Sequence, residues 1–461
     1  MKLAASARNT YAGNMIQREI IRILEDHGIR PSKQLGQNFL VDANIARWIV
    51  EQLDPQPHDA VVEVGPGTGA LSEHLAGKVR RLILVEFDAR LAAWLREKFA
   101  GREDVEIHHA DGAKFDARVL FKHRPVKFLG NLPYSSGGAI LRNFLNRPHP
   151  FERAVIMLQK EVIDRIAASP GSKDYGVLSL RIQSGWHVEP LRTVPPGAFH
   201  PRPHIDSGVA VLRPRDPAEF APYDARLFDE LIRRGFAQRR KQLGKQLPAD
   251  PPWPEVAEKL GLPRTARAEE LTLAQWLEVT RAYDDHPLKE NAQHHGEVFD
   301  IVDENDNVTD TATRAEVHAG SLMHRAVHVF LRNKHGDVLL QQRSILKDVH
   351  PGDWDSSVSG HLDSGETYEQ AAHREIREEM GVASAELREI ARIAPCENTG
   401  WEHVRLFAGD HRGPVRFPCS EIQAAQWFPV AEIDAWTHAA PGDFATGFLE
   451  CWRAARGGGA I

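Results

Sequence analysis

A glycine-rich turn between a predicted strand and a predicted helix is the feature that most restricts the fold of this chain. Residues 61–64 (V-V-E-V) predict a buried strand, and G-P-G-T-G, with Gly65, Gly67 and Gly69, follows it directly. Glycine lets the backbone turn sharply and approach a ligand closely. The spacing is G-x-G-x-G and not the dinucleotide-binding G-x-G-x-x-G, so a pyrophosphate is not the expected ligand.

Short apolar runs alternate with helix-like stretches through the first half of the chain. The predicted strands are 61–64, 81–86, 105–108, 128–130, 154–158 and a late strand at 209–212. Helical periodicity predicts helices at 15–27 and near 42–52. This alternation predicts an α/β fold built on a parallel, doubly wound sheet.

Acidic side chains follow the next two strands. Glu86 ends the strand at 81–86, about 20 residues after the glycine turn, where an acid typically binds ribose hydroxyls. Asp111 follows the third strand in H-H-A-D-G and could accept a hydrogen bond from an adenine amine. A glycine turn with two strand-end acids occurs in many α/β proteins, but the ordered series that ends with Asn131 argues for a ligand site.

The segment F-L-G-N-L-P-Y (128–134) combines an amide, a stiffened backbone and an aromatic face. The Asn131 side chain and the Leu132 carbonyl could accept hydrogen bonds from the two N–H groups of an exocyclic amine. This would localise the lone pair on the amine nitrogen. Pro133 restricts Leu132 to an extended backbone, and Tyr134 offers a stacking face worth roughly 1–3 kcal/mol per base. We expect this segment to hold a flat nucleobase, although a strand followed by a simple turn is the alternative.

Seven segments in order make residues from about 30 to 285 resemble the bacterial small-subunit ribosomal RNA adenine dimethyltransferases of the kasugamycin-resistance type. The segments are Q-N-F-L (37–40), E-V-G-P-G-T-G (63–69), N-L-P-Y (131–134), M-L-Q-K-E-V (157–162), P-G-S-K-D-Y-G (170–176), F-H-P-R-P-H-I-D-S (199–207) and F-A-Q-R-R-K-Q-L (236–243). The resemblance implies a Rossmann-like class I methyltransferase that uses S-adenosylmethionine. It implies dimethylation of N6 on two adjacent adenosines near the 3′ end of 16S rRNA, within the small ribosomal subunit and during ribosome biogenesis.

The resemblance also assigns residues. The expected cofactor-binding residues are Asn38, Leu40, Gly65, Gly67, Glu86, Asp111 and Asn131. The expected catalytic residues are Asn131, Leu132, Pro133, Tyr134 and Phe199, with Phe199 stacking on the base face opposite Tyr134. The family usually continues with Asn-Ile after this tyrosine, whereas the present chain has Ser-Ser-Gly-Gly at 135–138, so a smaller or looser wall is expected beside the base.

Basic side chains crowd the stretch around Phe236. We expect RNA phosphates to contact Arg233, Arg234, Arg239, Arg240 and Lys241, with Lys245, Lys160, Arg165, Lys173 and Arg202 extending the path. A solvated helix face is the alternative for such a charge run. Residues 1–285 carry a net charge of +5 and the remainder carries −12, so only the first part could approach a polyanion by charge.

A second motif occupies residues 360–382. It fits the Nudix signature, G-x5-E-x7-R-E-U-x-E-E-x-G-U, at every defined position. Clustered carboxylates on one helix face suit Mg²⁺ or Mn²⁺, which could polarise a diphosphate and activate water. The expected metal site comprises Glu375, Glu378, Glu379 and Gly360, with Glu378 and Glu379 also catalytic. Arg374 is expected to orient a glutamate and Gly381 to end the helix, while a plain acidic amphipathic helix is the alternative.

Residues 297–461 resemble the branch of the Nudix family near isopentenyl diphosphate isomerase. The resemblance rests on F-D-I-V-D-E-N-D, L-M-H-R-A-V-H-V-F, L-L-Q-Q-R-S and K-D-V-H-P-G-D-W-D. The isomerases have a cysteine shortly after that tryptophan, whereas Trp354 is followed here by D-S-S-V-S. We therefore expect hydrolysis of a nucleoside-diphosphate-linked compound, with isomerase activity as the alternative. For His324 and His361, core or surface roles are favoured over metal binding.

The chain is too long for one ordinary core. We expect a flexible tail at 1–14, a methyltransferase domain at 15–215, a small helical RNA-binding domain at 216–284, a linker at 285–296 and an α/β/α Nudix domain at 297–461. No apolar run approaches the ~18 residues of a membrane span, and the start has no apolar signal-peptide core. We expect a cytoplasmic monomer without membrane attachment, and three cysteines outside any disulfide or metal framework.

Two further functions stay open at this point. One is a ribosome-assembly factor that acts mainly through binding, and the other is a macrolide-resistance-type methyltransferase that acts on large-subunit RNA. The P-G-S-K-D-Y-G segment and the basic helical region favour the small-subunit type. The donor-site residues argue against a role limited to binding.

Overall fold

The computed structural model describes residues 18, 20–31, 37–286 and 297–461. The predicted tail at 1–14 and most of the predicted linker at 285–296 lie outside the described residues. The chain divides into two compact units. The first unit runs to Asp216 and resumes at Leu231–Trp276, and the second comprises Pro217–Glu230 and Leu277–Ile461.

A seven-stranded sheet forms the centre of the first unit, in the order β4-β3-β2-β5-β6-β9-β7. Its strands are β2 (Ala60–Val64), β3 (Arg81–Glu86), β4 (Val105–His109), β5 (Val126–Asn131), β6 (Phe151–Gln159), β7 (Trp186–Val194) and β9 (Ser207–Pro214). The first five strands in this order pair in parallel. The remaining two pair antiparallel with their neighbours.

All six strands predicted for this half of the chain are confirmed, but the sheet is mixed and not wholly parallel. The sheet is mixed because β9 pairs antiparallel with both β6 and β7. Strand β7 is not predicted by the sequence. Its interior positions are mostly exposed, and it contains Pro190, as is typical of an edge strand. An exposed edge strand lacks the apolar run by which buried parallel strands are recognised.

Helices cover both faces of this sheet because its strands are apolar on both sides. They are α1 (residues 20–26), α2 (Ala43–Leu53), α3 (Ala89–Lys98), α4 (Gly137–Leu145), α5 (Lys160–Ile166) and α6 (Val177–Gln183). Val62 of β2 belongs to the core that contains Phe144 of α4. Its neighbour Val61 points to the opposite face and belongs to the core that contains Ile49 of α2. The predicted doubly wound α/β arrangement is confirmed.

Three helices follow the sheet: α7 (Ala225–Ala237), α8 (Trp253–Lys259) and α9 (Leu273–Ala282). Trp276 is fully buried, and its ring centroid lies 6.1 Å from that of Phe236. A Cβ on Gly235 would lie 2.5 Å from the Trp276 ring, so the close approach of the two helices requires glycine there. The predicted change from strands to helices in this region is confirmed.

The second unit contains two sheets. A two-stranded sheet joins β10 (Val298–Val302) and β11 (Val308–Thr313). The other sheet comprises β12 (His324–Arg332), β13 (Val338–Arg343), β14 (Trp354–Asp355), β15 (Val358–His361), β16 (Leu387–Ile393), β17 (Glu402–Asp410) and β18 (Ile422–Phe428). Strand β12 lies at its centre and pairs with β13, β15 and β17.

Helices lie on both faces of this larger sheet. They are α10 (Arg314–Gly320), α11 (Tyr368–Met380), α12 (Val430–Ala439) and α13 (Thr446–Gly457). Ile376 of α11 packs in one core with Val327 of β12. On the opposite face, Phe330 of β12 contacts Phe448 of α13, with ring centroids 6.0 Å apart. The predicted α/β/α layering is confirmed, and α11 is the acidic helix that the sequence predicts to end at Gly381.

Two further features bear on the sequence expectations. The three cysteines are free, and Cys419 and Cys451 are buried. None of the helices in the described ranges combines the length and the apolar composition that crossing a lipid bilayer requires.

A buried ion pair joins the amino-terminal ends of β2 and β5. Lys127 Nζ lies 2.8 Å from Asp59 Oδ2, and the two side chains are 9% and 2% exposed. Asp59 also accepts a hydrogen bond from the Gln56 amide at 2.7 Å. The pair thus fixes the start of the two central strands.

Replacing Lys127 with methionine keeps the apolar stem but leaves the Asp59 carboxylate buried without its cation. Breaking a buried pair in this way costs about 3–5 kcal/mol. We expect the free energy of unfolding of the first unit to fall by that amount in urea titrations. Lys114→Met, at an exposed position, is the matched control, and equal effects of the two substitutions would contradict this role of the pair.

Candidate active sites

The carboxyl-terminal ends of β2, β3 and β5 surround a cavity in the first unit. Parallel pairing places Val64 opposite both Val85 and Gly130, so the segments that follow leave the sheet at one edge. The predicted cofactor-binding residues all line this cavity, namely Asn38, Leu40, Gly65, Gly67, Glu86, Asp111 and Asn131. The predicted catalytic residues of this half line it as well, namely Leu132, Pro133, Tyr134 and Phe199.

The glycine turn lies close to its neighbours on two sides. Gly65 and Gly67 have φ values of +71° and +57°, which favour glycine. A Cβ on Gly65 would lie 3.1 Å from the Asn131 carbonyl oxygen, and one on Gly67 would lie 3.1 Å from the Phe39 ring. Larger side chains at either position would therefore displace the cavity wall.

Glu86 fixes the turn from the next strand. Its Oε2 accepts a hydrogen bond from the Gly67 amide at 3.1 Å, and its Oε1 accepts one from the Asp88 amide at 2.9 Å. Burial raises the pKa of this carboxyl above its ordinary value, although both backbone hydrogen bonds favour the ionised form. Each carboxylate oxygen has a further lone pair, so Glu86 can also accept hydrogen bonds from hydroxyls in the cavity.

Glu63 is a cavity residue that the sequence analysis did not select. Its Oε2 accepts a hydrogen bond from Ser72 Oγ at 2.7 Å, whereas Oε1 is buried and has no hydrogen-bond partner among the described residues. Burial raises its pKa to about 7. Since Glu63 lines the cavity, a ligand donor could satisfy this oxygen. The available signal was an acid inside the apolar run V-V-E-V.

A small sheet brings two distant motifs to the cavity. Strand β1 (Phe39–Leu40) pairs with β8 (Phe199–His200), and Leu40 lies opposite Phe199. The Val41 amide donates to the Ala198 carbonyl at 2.8 Å, which continues this pairing. Q-N-F-L and F-H-P, about 160 residues apart in the chain, thus form one wall.

The backbone of the segment 131–134 is fixed at both ends. The Leu132 amide donates to the Met157 carbonyl at 3.0 Å, which extends the pairing of β5 with β6. The Pro133 carbonyl accepts two amide hydrogen bonds, at 3.3 and 2.8 Å, from the start of α4. The Tyr134 hydroxyl lies 2.8 Å from Ser207 Oγ. The predicted amide and aromatic groups are therefore presented by a well-anchored turn.

The Ser-Ser-Gly-Gly segment at 135–138 forms the cavity wall next to this turn. Ser135 and Ser136 line the cavity. A Cβ on Gly137 would lie 2.5 Å from Leu158 Cδ2, whereas one on Gly138 would meet open space. Glycine at 137 therefore allows α4 to begin close to β6.

The predicted RNA-binding cluster divides into two groups. Arg239 donates to the carbonyls of Ser172 and Lys173 at 2.7 and 2.5 Å, and it pairs with Glu269. It therefore anchors the P-G-S-K-D-Y-G segment to the helical part of the first unit. The other four predicted residues are exposed, namely Arg233, Arg234, Arg240 and Lys241.

The acidic helix α11 forms a second candidate site. Thr367 caps its start and Gly381, with a φ of +64°, ends it as predicted. Arg374 lies 2.7 Å from Glu375 Oε1, which agrees with its predicted orienting role. A Cβ on Gly360 would lie 2.3 Å from Glu375 Oε1, so only glycine permits β15 to approach this carboxylate.

The carboxylates of α11 differ in environment. Glu379 is buried and the Glu375 side chain is 13% exposed. Glu379 accepts hydrogen bonds from Gln341 and the Ser359 amide, both at 3.3 Å. Burial raises the pKa of both groups, and the charge of Glu379 raises that of Glu375 further. The side chain of Glu378 is 61% exposed. A bound cation would favour the ionised form of the buried pair.

A pocket of the second unit lies between α11 and the strand ends. All four predicted metal-site residues line it: Gly360, Glu375, Glu378 and Glu379. Four cationic side chains share the same lining, namely Arg314, Arg343, Lys347 and Arg374. The pocket therefore combines carboxylates for a hard cation with positive groups for a polyanionic ligand.

His324 and His361 lie beside Glu402, and His361 and Glu402 line this pocket. The possible ligand atoms of the three side chains lie within 4.8 Å of one another. Burial would raise the pKa of Glu402, but the hydrogen bond from His361 at 2.9 Å and the proximity of His324 at 3.5 Å hold it well below its usual range. Both rings stack on Phe299, in keeping with the predicted core role. The three groups also form a compact nitrogen and oxygen donor set that suits a divalent cation.

Comparisons with known proteins agree with both sites. Residues 29–285 match the family described as ribosomal RNA adenine dimethylase, and residues 322–445 match the NUDIX domain. The protein named ribosomal RNA small subunit methyltransferase A from Geobacter metallireducens is 40% identical over 274 residues, which cover 56% of this chain and 98% of that relative. Its namesake from Leptothrix cholodnii is 39% identical over 260 residues, covering 56% and 93%.

The solved structure of a dimethyladenosine transferase from Plasmodium falciparum is similar to part of this chain. It is 23% identical to this chain, with a TM-score of 0.44, and the match covers 51% of this chain and 94% of that one.

Cation binding at α11 should depend on pH, because burial raises the pKa of Glu375 and Glu379 and a protonated carboxyl is a poor ligand. Raising the pH ionises more of the pair, so we expect Mn²⁺ affinity to increase at least ~10-fold from about pH 6.5 to about pH 8.5, with proton release. Calorimetric titration in buffers of different ionisation enthalpy measures both quantities.

The Glu379→Gln variant should lose Mn²⁺ binding at this site, and this loss distinguishes the site from any other that binds Mn²⁺. Glu369→Gln, at an exposed position on the same helix, should bind like the unmodified protein. An affinity that stays constant with pH would show that the buried pair is not the ligand.

Proposed function

The chain belongs to the ribosomal RNA adenine dimethylase family, and on that premise we propose that its first unit dimethylates N6 of two adjacent adenosines near the 3′ end of 16S rRNA. The observation that carries the proposal is the convergence of the glycine turn, Glu86, Asp111 and the Asn131–Tyr134 turn on one cavity. Similarity to proteins named ribosomal RNA small subunit methyltransferase A supports the choice of the small subunit.

The donor side of the cavity fits S-adenosylmethionine, which supplies an electrophilic methyl group on a sulfonium when bound. Gly65 and Gly67 give the ligand close access to the backbone. Glu86 accepts hydrogen bonds from the ribose hydroxyls, and Asp111 accepts one from the adenine amine. The buried Glu63 Oε1 that lacks a partner offers an acceptor for another donor group of the ligand.

The acceptor side fits an adenine held by its amine. The Asn131 side-chain oxygen and the Leu132 carbonyl accept the two N6 hydrogens and draw the nitrogen towards tetrahedral geometry. The lone pair, otherwise delocalised into the ring, then points at the methyl group, so in-line positioning supplies most of the catalysis. Tyr134 and Phe199 provide faces for the base, which must leave its stack to enter.

The exposed basic residues fit the RNA backbone. We assign phosphate contacts to Arg233, Arg234, Arg240 and Lys241, and a supporting role to Arg239, whose guanidinium is bonded within the protein. The proposed working division is a methyltransferase domain at 15–215, an RNA-binding helical domain at 216–284, a linker at 285–296 and a Nudix domain at 297–461. The proposed setting is the cytoplasm, with a monomer acting on a nearly mature small subunit.

Asn131→Ala removes one of the two amine acceptors. Removing one such preorganised group typically costs about 10²–10³-fold in kcat, and we expect a loss of that size in the transfer of labelled methyl groups to small subunits that lack them. Asn146→Ala, at an exposed position on the adjacent helix end, is the control. If Asn131→Ala transferred methyl groups as fast as the control, the proposed grip on the amine would be wrong.

For the second unit, we propose an Mg²⁺- or Mn²⁺-dependent Nudix hydrolase that acts on a nucleoside-diphosphate-linked compound. The cation would be held by Glu375, Glu378, Glu379 and the Gly360 carbonyl, and when bound it polarises a phosphoryl oxygen and acidifies water. Arg343 and Lys347 face the same pocket and suit the diphosphate charge. The absence of a thiol between Trp354 and Ser359 disfavours the isomerase alternative.

Glu379→Gln keeps the size of the side chain but removes its charge. We expect hydrolysis to fall ~100-fold or more in an Mg²⁺-dependent screen of diphosphate compounds, because the cation loses a ligand. Methyl transfer by the same variant should be unchanged, and Glu369→Gln should retain both activities. If no diphosphate is turned over, or if Glu379→Gln remains fully active, the hydrolase assignment fails.

A further inference from the structure

We propose that Ser207 is a positioning residue for methyl transfer, which holds the Tyr134 ring in the orientation that receives the target base. The proposal rests on the proposed function of the first unit. It starts from the hydrogen bond between the Tyr134 hydroxyl and Ser207 Oγ, which lie 2.8 Å apart. The two residues are separated by 73 positions in the chain.

Ser207 is itself held in place. It is 1% exposed and is the first residue of β9. It lies opposite Gln159 of β6 on one side and Val194 of β7 on the other. A side chain that leaves a backbone paired on both sides offers a fixed point, so the hydrogen bond constrains Tyr134 and not the reverse.

The Tyr134 ring needs such a constraint. Its backbone is fixed by the hydrogen bonds at Leu132 and Pro133, but the ring can still rotate about its own side-chain bonds. It is half-buried and lines the cavity, so close packing does not hold it on every side. The bond to Ser207 fixes the far end of the ring, so that both ends are held.

One segment sets both faces that meet the base. Phe199 starts the segment 199–207, where β8 pairs with β1, and Ser207 ends it. The Lys160 amide donates to the Asp206 carbonyl at 3.0 Å, which fixes the segment just before the serine. One anchored segment therefore carries both the Phe199 ring and the hydrogen-bond partner of the Tyr134 hydroxyl. This gives the F-H-P-R-P-H-I-D-S motif a second role beyond supplying the phenylalanine.

The test is a double-mutant cycle in the full-length protein, with S-adenosylmethionine and small subunits that lack the methyl groups. Ser207→Ala and Tyr134→Phe each remove the hydrogen bond, and Tyr134→Phe keeps the ring. We expect each to lower kcat about 10-fold, because small displacements of a reacting group are costly, while the KM for S-adenosylmethionine stays unchanged. The double variant should be no slower than either single one, because all three lack the same bond.

Ser179→Ala is the matched control. Ser179 is a buried serine of the same unit that donates to the Arg165 carbonyl, away from the cavity. It should lose similar stability in urea but keep full methyl transfer. Three results would overturn the proposal: unchanged kcat in Ser207→Ala, additive losses in the double variant, or an equal loss of kcat in Ser179→Ala. Failure of the unmodified protein to methylate would instead refute the proposed function.

Discussion

The parallel register of β2 between β3 and β5 is the constraint on which the first site depends. Because Val64 lies opposite both Val85 and Gly130, the residues that follow these positions reach the same edge together. These residues are Gly65, Glu86 and Asn131. A slip of one residue would turn every side chain of the strand to the other face and remove Glu86 from the turn that it anchors.

Much of the fold followed from local patterns, and its gaps have physical causes. Apolar runs revealed the buried strands, since burial on both faces requires them. The edge strand β7 was not predicted because its residues are mostly exposed and do not form an apolar run. The residues predicted for the cavity came from a turn, two strand ends and a resemblance, and the structure brings them together.

What the sequence could not reveal are contacts between distant residues. Nothing near Tyr134 indicates that its hydroxyl contacts Ser207. Nothing in a run of arginines indicates that Arg239 donates to the carbonyls of Ser172 and Lys173. Glu63 could have been noticed as an acid in an apolar strand, but only the structure identifies the oxygen without a partner. Glu402 lies next to His324 and His361 because β17 pairs in parallel with β12. This pairing joins residues that are distant in the sequence.

Glycines have a similar structural role in the two units, whereas the carboxylates have different roles. In both, a glycine permits close approach, at Gly65 to the Asn131 carbonyl and at Gly360 to Glu375. Glu86 is bonded to backbone amides and is prepared to accept hydrogen bonds from a ligand. Burial raises the pKa of Glu375 and Glu379, the charge of Glu379 raises the pKa of Glu375 further, and a bound cation would favour the ionised form of both.

The chemical identity and position of the modified nucleotides test the proposed function of the first unit most directly. Small subunits that lack the methyl groups would be incubated with the protein and S-adenosylmethionine, and the digested RNA analysed by mass spectrometry. We predict N6,N6-dimethyladenosine at two adjacent positions near the 3′ end of 16S rRNA. Unmodified RNA, with a known enzyme active alongside, or modification of large-subunit RNA alone, would contradict it.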